Sequence, residues 1–262
     1  MFSIIAMGIF APFVAPYDPN YVNLMVRMAP PVWMEGGSWA HIFGTDQLGR
    51  DLLSRCIYGI RNSFAIASVG IIVSSVVGIG LGIVAGLAGK WADRIIMMIV
   101  DAFIALPNML LMLCGIAILG RELWVLVLMI GLVKWEGYSR IIRGQVLQIK
   151  AQGYIESCQV LGGNRYRIAI KHVVPNLVSP IAVMLTLSFP SILTMEAGLS
   201  FLGVGIQPPT ASIGRMIDEG RDYLIDAWWI TGIPAAVIVT ITLTFQIIGD
   251  LIRDKVDAYT NE

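Results

Sequence analysis

The chain has 262 residues, of which 56% are hydrophobic and only 14% charged, and its mean hydropathy is +0.76. Soluble domains carry roughly 25% charged residues, so this composition excludes an ordinary soluble domain and favours a membrane protein. The formal net charge of zero gives no general attraction to nucleic acid. The three cysteines and two histidines are too few and too scattered for a disulfide framework or a metal site, and no cofactor is expected.

Long runs with almost no charge predict membrane-spanning helices, which need about 20 mainly apolar residues each. Five such runs lie at residues 62–89, 95–120, 123–138, 176–195 and 227–249. Residues 1–16 form a sixth candidate, which we interpret as the outer part of a first span that begins further upstream. The sequence therefore predicts an all-α integral membrane protein with six spans.

The distribution of lysine and arginine predicts the orientation, because cytoplasmic loops are enriched in these residues. Residues 139–175 carry six basic residues against one acid, whereas residues 204–226 carry four acids against two arginines. We therefore place the 139–175 loop in the cytoplasm, together with both ends of the chain and a tail at 253–262. Residues 17–61 become a long external loop, and residues 62–252 form the main transmembrane domain.

Small residues recur at every fourth position in the run 62–89. They are Gly70, Ser74, Gly78, Gly82 and Gly86. Small residues at this spacing form a flat strip against which another helix can pack closely. The strip predicts helix packing, either within the chain or with another subunit.

Ionisable residues within the spans are functional candidates, because a charge inside the bilayer is costly. Asp101 and Glu196 are the candidate pathway residues, while Lys134 and Glu136 also lie within or near a span. Pro107 is expected to kink its helix and is a candidate gate. An alternative function is a carrier driven by an ion gradient through Asp101 or Glu196, although the internal repeats typical of many such carriers are not seen.

The basic loop opens with a predicted short helix over residues 151–161. Tyr154, Cys158 and Leu161 fall on one face of that helix. Gly162 follows and ends the helix, since glycine adopts the left-handed conformation past a helix C-terminus.

A second short helix is predicted directly after this turn. Asn164 is a suitable N-cap, and Tyr166, Ile170 and Val173 share one face. Pro175 is expected to stop this helix or to mark entry into the next span. Such a hairpin could dock on another protein or lie in the lipid interface. The sharp turn favours docking.

This loop resembles the cytoplasmic coupling loop of bacterial ABC-importer permeases. That loop has the pattern Glu-Ala-Ala, three residues, Gly, nine residues, and Ile-x-Leu-Pro, which falls here on residues 156–158, 162 and 172–175. Glutamate, glycine and proline are in register, while serine and cysteine replace the two alanines. The resemblance implies ATPase coupling through Tyr154, Glu156, Ser157, Cys158, Leu161, Gly162, Arg165, His172, Pro175 and Asn176.

Segments along the rest of the chain, at residues 11–20, 43–64, 93–111, 137–147 and 200–224, are similar to the dipeptide/oligopeptide/nickel permease family, and to its C-type subunit in particular. The resemblance implies a type I ABC-importer permease in the bacterial inner membrane that is not itself an enzyme. It also implies a heterodimer with a sister permease, two cytoplasmic ATPase subunits and an external solute-binding protein. The solute is left open among peptides, nickel chelates, glutathione and similar molecules.

Two external segments are candidates for contact with the solute-binding protein. The sequence GTDQLGRD at 44–51 predicts a turn followed by a helix, and residues 204–226 form the second segment. The candidate contact residues are Asp46, Arg50, Asp51, Pro208, Pro209, Arg221 and Asp222. Packing against the sister permease is the alternative role of these loops.

Overall fold

The structure is a computed structural model that describes residues 7–160, 162 and 164–260, with the backbone alone at 156, 159, 165 and 256–260. Every regular element in these residues is helical, apart from one isolated β-bridge between Thr45 and Asp51. The predicted all-α fold is therefore confirmed. The helices are α1 (Ala11–Val14), α2 (Leu52–Ala88), α3 (Lys90–Ala105), α4 (Asn108–Leu119), α5 (Leu123–Lys150), α6 (Gly153–Val160), α7 (Arg165–Ile168), α8 (Val174–Phe201), α9 (Ile213–Gly220) and α10 (Trp229–Thr260).

Among the described residues, three helical segments are long and apolar enough to cross a membrane: Leu52–Ala88, Tyr166–Phe201 and Trp229–Lys255. The bent pair α3–α4 makes a fourth if it is counted as one span. Helix α5 has 28 residues, a length of about 42 Å at 1.5 Å per residue, but it carries several charges. The count of six spans is not confirmed and stays a prediction.

Helix α2 starts ten residues before the apolar run that predicted it, so the first external loop ends at residue 51 rather than 61. The start is set by Asp51, whose side chain accepts hydrogen bonds from the backbone N–H and the hydroxyl of Ser54, both at 2.8 Å. An N-cap of this kind satisfies backbone donors that the helix itself leaves unpaired. Hydropathy marked only the apolar part of a 37-residue helix.

The predicted span 95–120 is divided into two helices rather than kinked. Helices α3 and α4 meet at 91°, and the backbone at Leu106 and Pro107 is extended, with ψ of 137° and 120°. Proline lacks the N–H that would continue α3, and it disfavours a helical conformation in the residue before it. Pro107 therefore breaks the span completely.

The second helix of the basic loop does not stop at Pro175. Helix α7 passes through a π-helical turn, Ala169–Val173, directly into α8. A proline inside a helix crowds the carbonyl four residues earlier, which here belongs to Lys171 in the widened turn. The predicted separate helix is thus the first part of one helical segment of 36 residues, Tyr166–Phe201.

The core lies where α2 and α5 pack side by side and α4 and α8 cover them. Its buried side chains include Ile66, Met112, Ile130 and Ile192. A second cluster lies at the predicted external end, where α9 and α10 cover the start of α2. A third lies at the predicted cytoplasmic end and joins α5 to α6, α7 and the start of α8.

Candidate functional site

The coupling loop, which we define as residues 151–175, is held to the rest of the protein by three buried side chains. Ile155 of α6, Ile168 of α7 and Val173 of the π-helical turn pack against Ile142 and Val146 of α5. The sequence had grouped Tyr154, Cys158 and Leu161 on one face, and Tyr166, Ile170 and Val173 on another. Of the described members only Val173 is fully buried, so these faces supply little of the packing against α5, and their role in docking stays a prediction. Ile155 and Ile168 carry the packing instead.

The turn between α6 and α7 has the predicted chemistry. Gly162 has a φ of +80°, and Asn164 caps α7 by accepting a hydrogen bond from the N–H of Tyr166 at 3.1 Å. Leu161 lies outside the described residues, and so do the side chains of Glu156 and Arg165. The described backbone nevertheless forms a compact helical hairpin at the end of α5.

Polar groups fasten α6 to the start of α8. The amide of Asn176 donates to the hydroxyl of Tyr154 at 3.3 Å and to the carbonyl of His172 at 2.6 Å. The rings of Tyr154 and His172 lie edge to face, with centroids 6.2 Å apart. Ser157 turns back to the carbonyl of Gly153, and Cys158 is half-buried. The structure thus brings Tyr154, His172 and Asn176 together.

The coupling loop exposes large apolar side chains in the isolated chain, beside charged ones such as Arg167 and Lys171. Val160 is 83% exposed, Tyr166 73% and Ile170 50%. Large apolar side chains grouped on a surface indicate a binding interface. The loop is therefore packed on its inner side and unpaired on its outer side.

The strip of small residues on α2 packs against α5 within the chain. A Cβ atom added to Gly78 would lie 2.6 Å from the Cβ of Tyr138, and one added to Gly82 would lie 2.7 Å from the carbonyl oxygen of Ser139. Gly70 and Gly86 face Ile130 and Val146 in the same way, and Ser74 is buried. Of the two predicted roles, the strip fulfils the intramolecular one here.

The two candidate pathway acids lie in different environments and do not meet. Asp101 is 67% exposed at its side chain and forms an ion pair with Arg140 of α5. Glu196 is fully buried and accepts hydrogen bonds from Ser63, Ser200 and Ser212 at 2.7 to 3.1 Å. Because these serines belong to α2, to α8 and to the residue before α9, Glu196 joins three helices. It does not face an open path in this structure.

The external segment 44–51 is turned inward, which the sequence did not predict. Asp46 and Arg50 form an ion pair at 2.6 Å, and Arg50 and Arg55 reach Glu219 at 2.9 and 3.2 Å. Asp46 and Arg55 are 97% and 98% buried at their side chains. Asp51 caps α2 and accepts a hydrogen bond from His41 at 2.9 Å.

Asp46, Arg50 and Asp51 therefore hold this region together and are buried in the isolated chain. Their role as contacts for the solute-binding protein stays a prediction, with little side-chain surface open to it. Glu219 was missed because Arg50 and Arg55 lie far away in the sequence, although Arg215 lies only four residues before it. The remaining candidates, Pro208, Pro209, Arg221 and Asp222, are exposed.

The fold is similar to that of a chain in a solved structure. It superposes on a chain in "Inward facing conformations of the MetNI methionine ABC transporter", with a TM-score of 0.64 and 17% sequence identity. The match covers 78% of this chain and 97% of that chain. At this identity the likeness concerns the fold, which is that of a chain from an ABC transporter.

Sequence similarity identifies the family. Residues 78–260 match the family described as "Binding-protein-dependent transport system inner membrane component". The chain is 39% identical over 257 residues to the "Di/tripeptide transport system permease protein DppC" of Pseudomonas aeruginosa, covering 98% of this chain and 85% of the relative. It is 36% identical over 254 residues to the "Oligopeptide transport system permease protein OppC" of Bacillus subtilis, covering 97% and 81%. The chain belongs to this family of inner-membrane components.

The protein is thus a permease subunit of an ABC importer, as its resemblance to peptide permeases had indicated. It is a multi-pass membrane protein and a transport subunit. Nothing in these similarities supports the alternative of an ion-coupled carrier.

Proposed function

We propose that the chain forms one half of the translocation pore of an ATP-driven importer for peptides or similar small solutes. The two relatives are named as permeases for di/tripeptides and for oligopeptides, which supports this solute class. A related sister permease would form the other half of the pore. An external solute-binding protein would deliver the solute to exposed residues such as Pro208, Pro209, Arg221 and Asp222.

The coupling loop would dock on an ATPase subunit, and two such subunits would hydrolyse the ATP. The observation that carries this proposal is the two-sided construction of the hairpin, in which Ile155 is buried while Val160, Tyr166 and Ile170 are exposed. Because α6 is fixed to α5 and α7 is continuous with α8, a displacement of the loop would be passed to two membrane helices. Asp101 and the break at Pro107 remain candidates for elements that move in response.

The orientation that this function requires follows from the charge distribution. Residues 139–175 and the tail 253–262 would lie in the cytoplasm, and so would the N-terminus. Residues 17–61 would lie outside, with the transmembrane domain at 62–252 between them. The six basic residues of the 139–175 loop support this placement.

The turn at Gly162 offers a direct test. The chain would be tagged, expressed with its neighbouring genes and purified, and the ATPase activity of the complex measured. Gly162→Val should lose the ATPase, because a β-branched residue is strained at a φ of +80°. Gly162→Asn is the matched control, because asparagine tolerates this conformation.

Both variants act through the backbone, since no described atom lies within 4 Å of a Cβ built on Gly162. Loss with valine and retention with asparagine would support docking through this turn. Full retention of the ATPase by Gly162→Val would contradict it. A wild-type complex that contains no ATPase, and whose solute transport is driven by an ion gradient, would overturn the proposed function.

A further inference from the structure

One face of α5 is unoccupied along its second half. Lys134, Gly137, Ile141 and Gly144 lie on this face at helical spacing. Among the described residues, no atom comes within 4 Å of a Cβ built on Gly137 or Gly144, and Ile141 is 49% exposed. The glycines of α2 behave in the opposite way, because they press against a neighbouring helix. These two α5 glycines are not packing positions within the chain.

Helix α8 forms the opposite wall of a cleft on this face. The cleft has a volume of about 270 Å³ and is lined by Lys134, Glu136, Gly137 and Ile141 of α5, by Ser188 and Ser191 of α8, and otherwise mostly by apolar side chains of the two helices. The ammonium group of Lys134 donates a hydrogen bond to the hydroxyl of Ser191 at 3.2 Å. A lysine, a nearly buried glutamate and two serines therefore line a cleft between two membrane helices.

The cleft lies deep in the predicted membrane. Lys134 is 11 residues from the start of α5, which is about 17 Å along the helix. Ser191 is 10 residues from the end of α8, which is about 15 Å. With a hydrocarbon core about 30 Å thick, both lie near its middle. Charged residues at such depth face the protein interior or a water-filled cavity.

A lipid-facing surface looks different in the same molecule. Helix α10 exposes an unbroken apolar stripe of Val239, Leu243, Ile247 and Leu251, each 54 to 59% exposed. Such a stripe suits hydrocarbon, whereas a lysine, a glutamate and two serines do not. The contrast indicates that the cleft does not face lipid.

The broken span supports the same conclusion. The peptide unit at Leu106–Pro107 is non-helical, and Leu106 is 51% exposed. Irregular backbone at membrane depth is tolerated where protein covers it or where it lines a water-filled cavity. Helix α3 is tied to α5 beside this break by the Asp101–Arg140 ion pair and by the Phe103 and Trp135 rings, 5.5 Å apart.

We propose that the α5–α8 cleft lines the path of the solute through the membrane, and that Lys134 is a fixed cation there that pairs with the carboxylate of a passing peptide. The proposal rests on the importer function proposed above for its solute and its sidedness. It assigns a binding contact to Lys134, and it gives Gly137 the role of keeping the floor of the path open.

The first experiment measures access of water to the cleft. Cys114→Ser and Cys158→Ser remove the two accessible thiols, while Cys56 is buried. Gly137→Cys or Ser191→Cys is then introduced into the assembled importer in inside-out membrane vesicles, with Leu243→Cys as the lipid-facing control. Because methanethiosulfonates attack the hydrated thiolate, we expect rates about tenfold or more above the control. Equal, negligible rates at all three positions would overturn the pathway.

The second experiment measures charge. At Gly137→Cys, one turn from Lys134, the rates of an anionic sulfonate reagent and a cationic ammonium reagent are compared. A unit charge about 6 Å away favours the anion and disfavours the cation, so Lys134→Gln should lower the anion-to-cation rate ratio about tenfold. Lys134→Arg and the distant Lys255→Gln should keep the ratio. An unchanged ratio in Lys134→Gln would show that Lys134 does not act on the path.

Both measurements are made without nucleotide and do not depend on docking of the coupling loop. If no ATPase co-purifies but Ser191→Cys reacts, the proposed coupling fails and the water-filled path stands. If the ATPase co-purifies but the cleft is unreactive, the pathway fails and the importer function stands. The two failures are therefore distinguishable.

Discussion

The two ends of the molecule use their polar and apolar residues in opposite ways. At the predicted external end, charged residues point inward and neutralise one another, with Arg50 and Arg55 placed between Asp46 and Glu219. At the predicted cytoplasmic end, apolar residues such as Tyr166 point outward. The charge network at the predicted external end is complete within one chain, whereas the coupling loop leaves large apolar side chains exposed.

The difference follows from the cost of burial. A buried charge needs a partner of opposite sign, because the loss of water is not otherwise compensated. The external network therefore keeps its partners permanently in contact. An exposed tyrosine has no such requirement and gains free energy when a partner covers it. A loop that must bind and move with a second protein is better built in this second way.

The largest expected effect comes from breaking the external network. Asp46→Asn keeps the oxygen that accepts hydrogen bonds from the N–H groups of Leu48 and Arg50, but it removes the charge between two buried arginines. Leaving buried charges uncompensated should lower the free energy of unfolding by about 3–5 kcal/mol. Thermal unfolding of the purified complex in detergent would measure the loss.

The matched control is Asp222→Asn in the same region. Asp222 is 82% exposed and lies 3.8 Å from Arg221, and exposed pairs of this kind contribute about 0–1 kcal/mol. Similar small effects of both variants would mean that Asp46 is not a structural residue. The prediction that Asp46 contacts the solute-binding protein would then be favoured over a structural role.

A smaller effect is expected from the inner side of the coupling loop. Ile155 is fully buried, and truncating a buried isoleucine to alanine costs about 2–5 kcal/mol. Ile155→Ala should free α6 from α5 and speed hydrogen exchange of the α6 amides, while Val160→Ala, which is 83% exposed before substitution, should not. Unchanged exchange in Ile155→Ala would show that the hairpin is held by other contacts.

Local chemistry made the turns and caps predictable from the sequence. Gly162 and Asn164 act through their own backbone conformation and a neighbouring N–H, so their roles do not depend on the rest of the fold. The small-residue strip was likewise predictable, because its spacing of four residues describes one helix face. The length of α2 was not predictable from hydropathy, because its N-cap lies outside the apolar run.

The ion pairs between residues far apart in the chain could not be predicted from the sequence. Arg55 and Glu219 are 164 residues apart and meet only because α9 folds over the start of α2. The side of α6 and α7 that packs on α5 was not predictable, because a helix of eight or four residues is too short for periodicity to select a face. The bare glycines of α5 also have no sequence signal, since the same residue is a packing position in α2.

The smallest effect on stability is expected at the outer surface of the coupling loop, where the effect on binding should be greatest. Tyr166 is 73% exposed, so Tyr166→Ala should change the free energy of unfolding by less than about 0.5 kcal/mol. Aromatic residues at the centre of an interface often contribute 2 kcal/mol or more, so the ATPase affinity should fall about tenfold or more. Titration of purified ATPase onto the permease complex would measure that affinity.

Tyr166→Phe separates the ring from the hydroxyl group and serves as the matched control. If the ring is buried by the ATPase, phenylalanine should keep nearly all of the affinity. An equal loss in Tyr166→Phe would assign the contact to the hydroxyl group. An unchanged affinity in Tyr166→Ala would place the ATPase elsewhere on the loop. The charge network would still be complete within the chain, but Tyr166 would no longer be evidence that the coupling loop binds a partner.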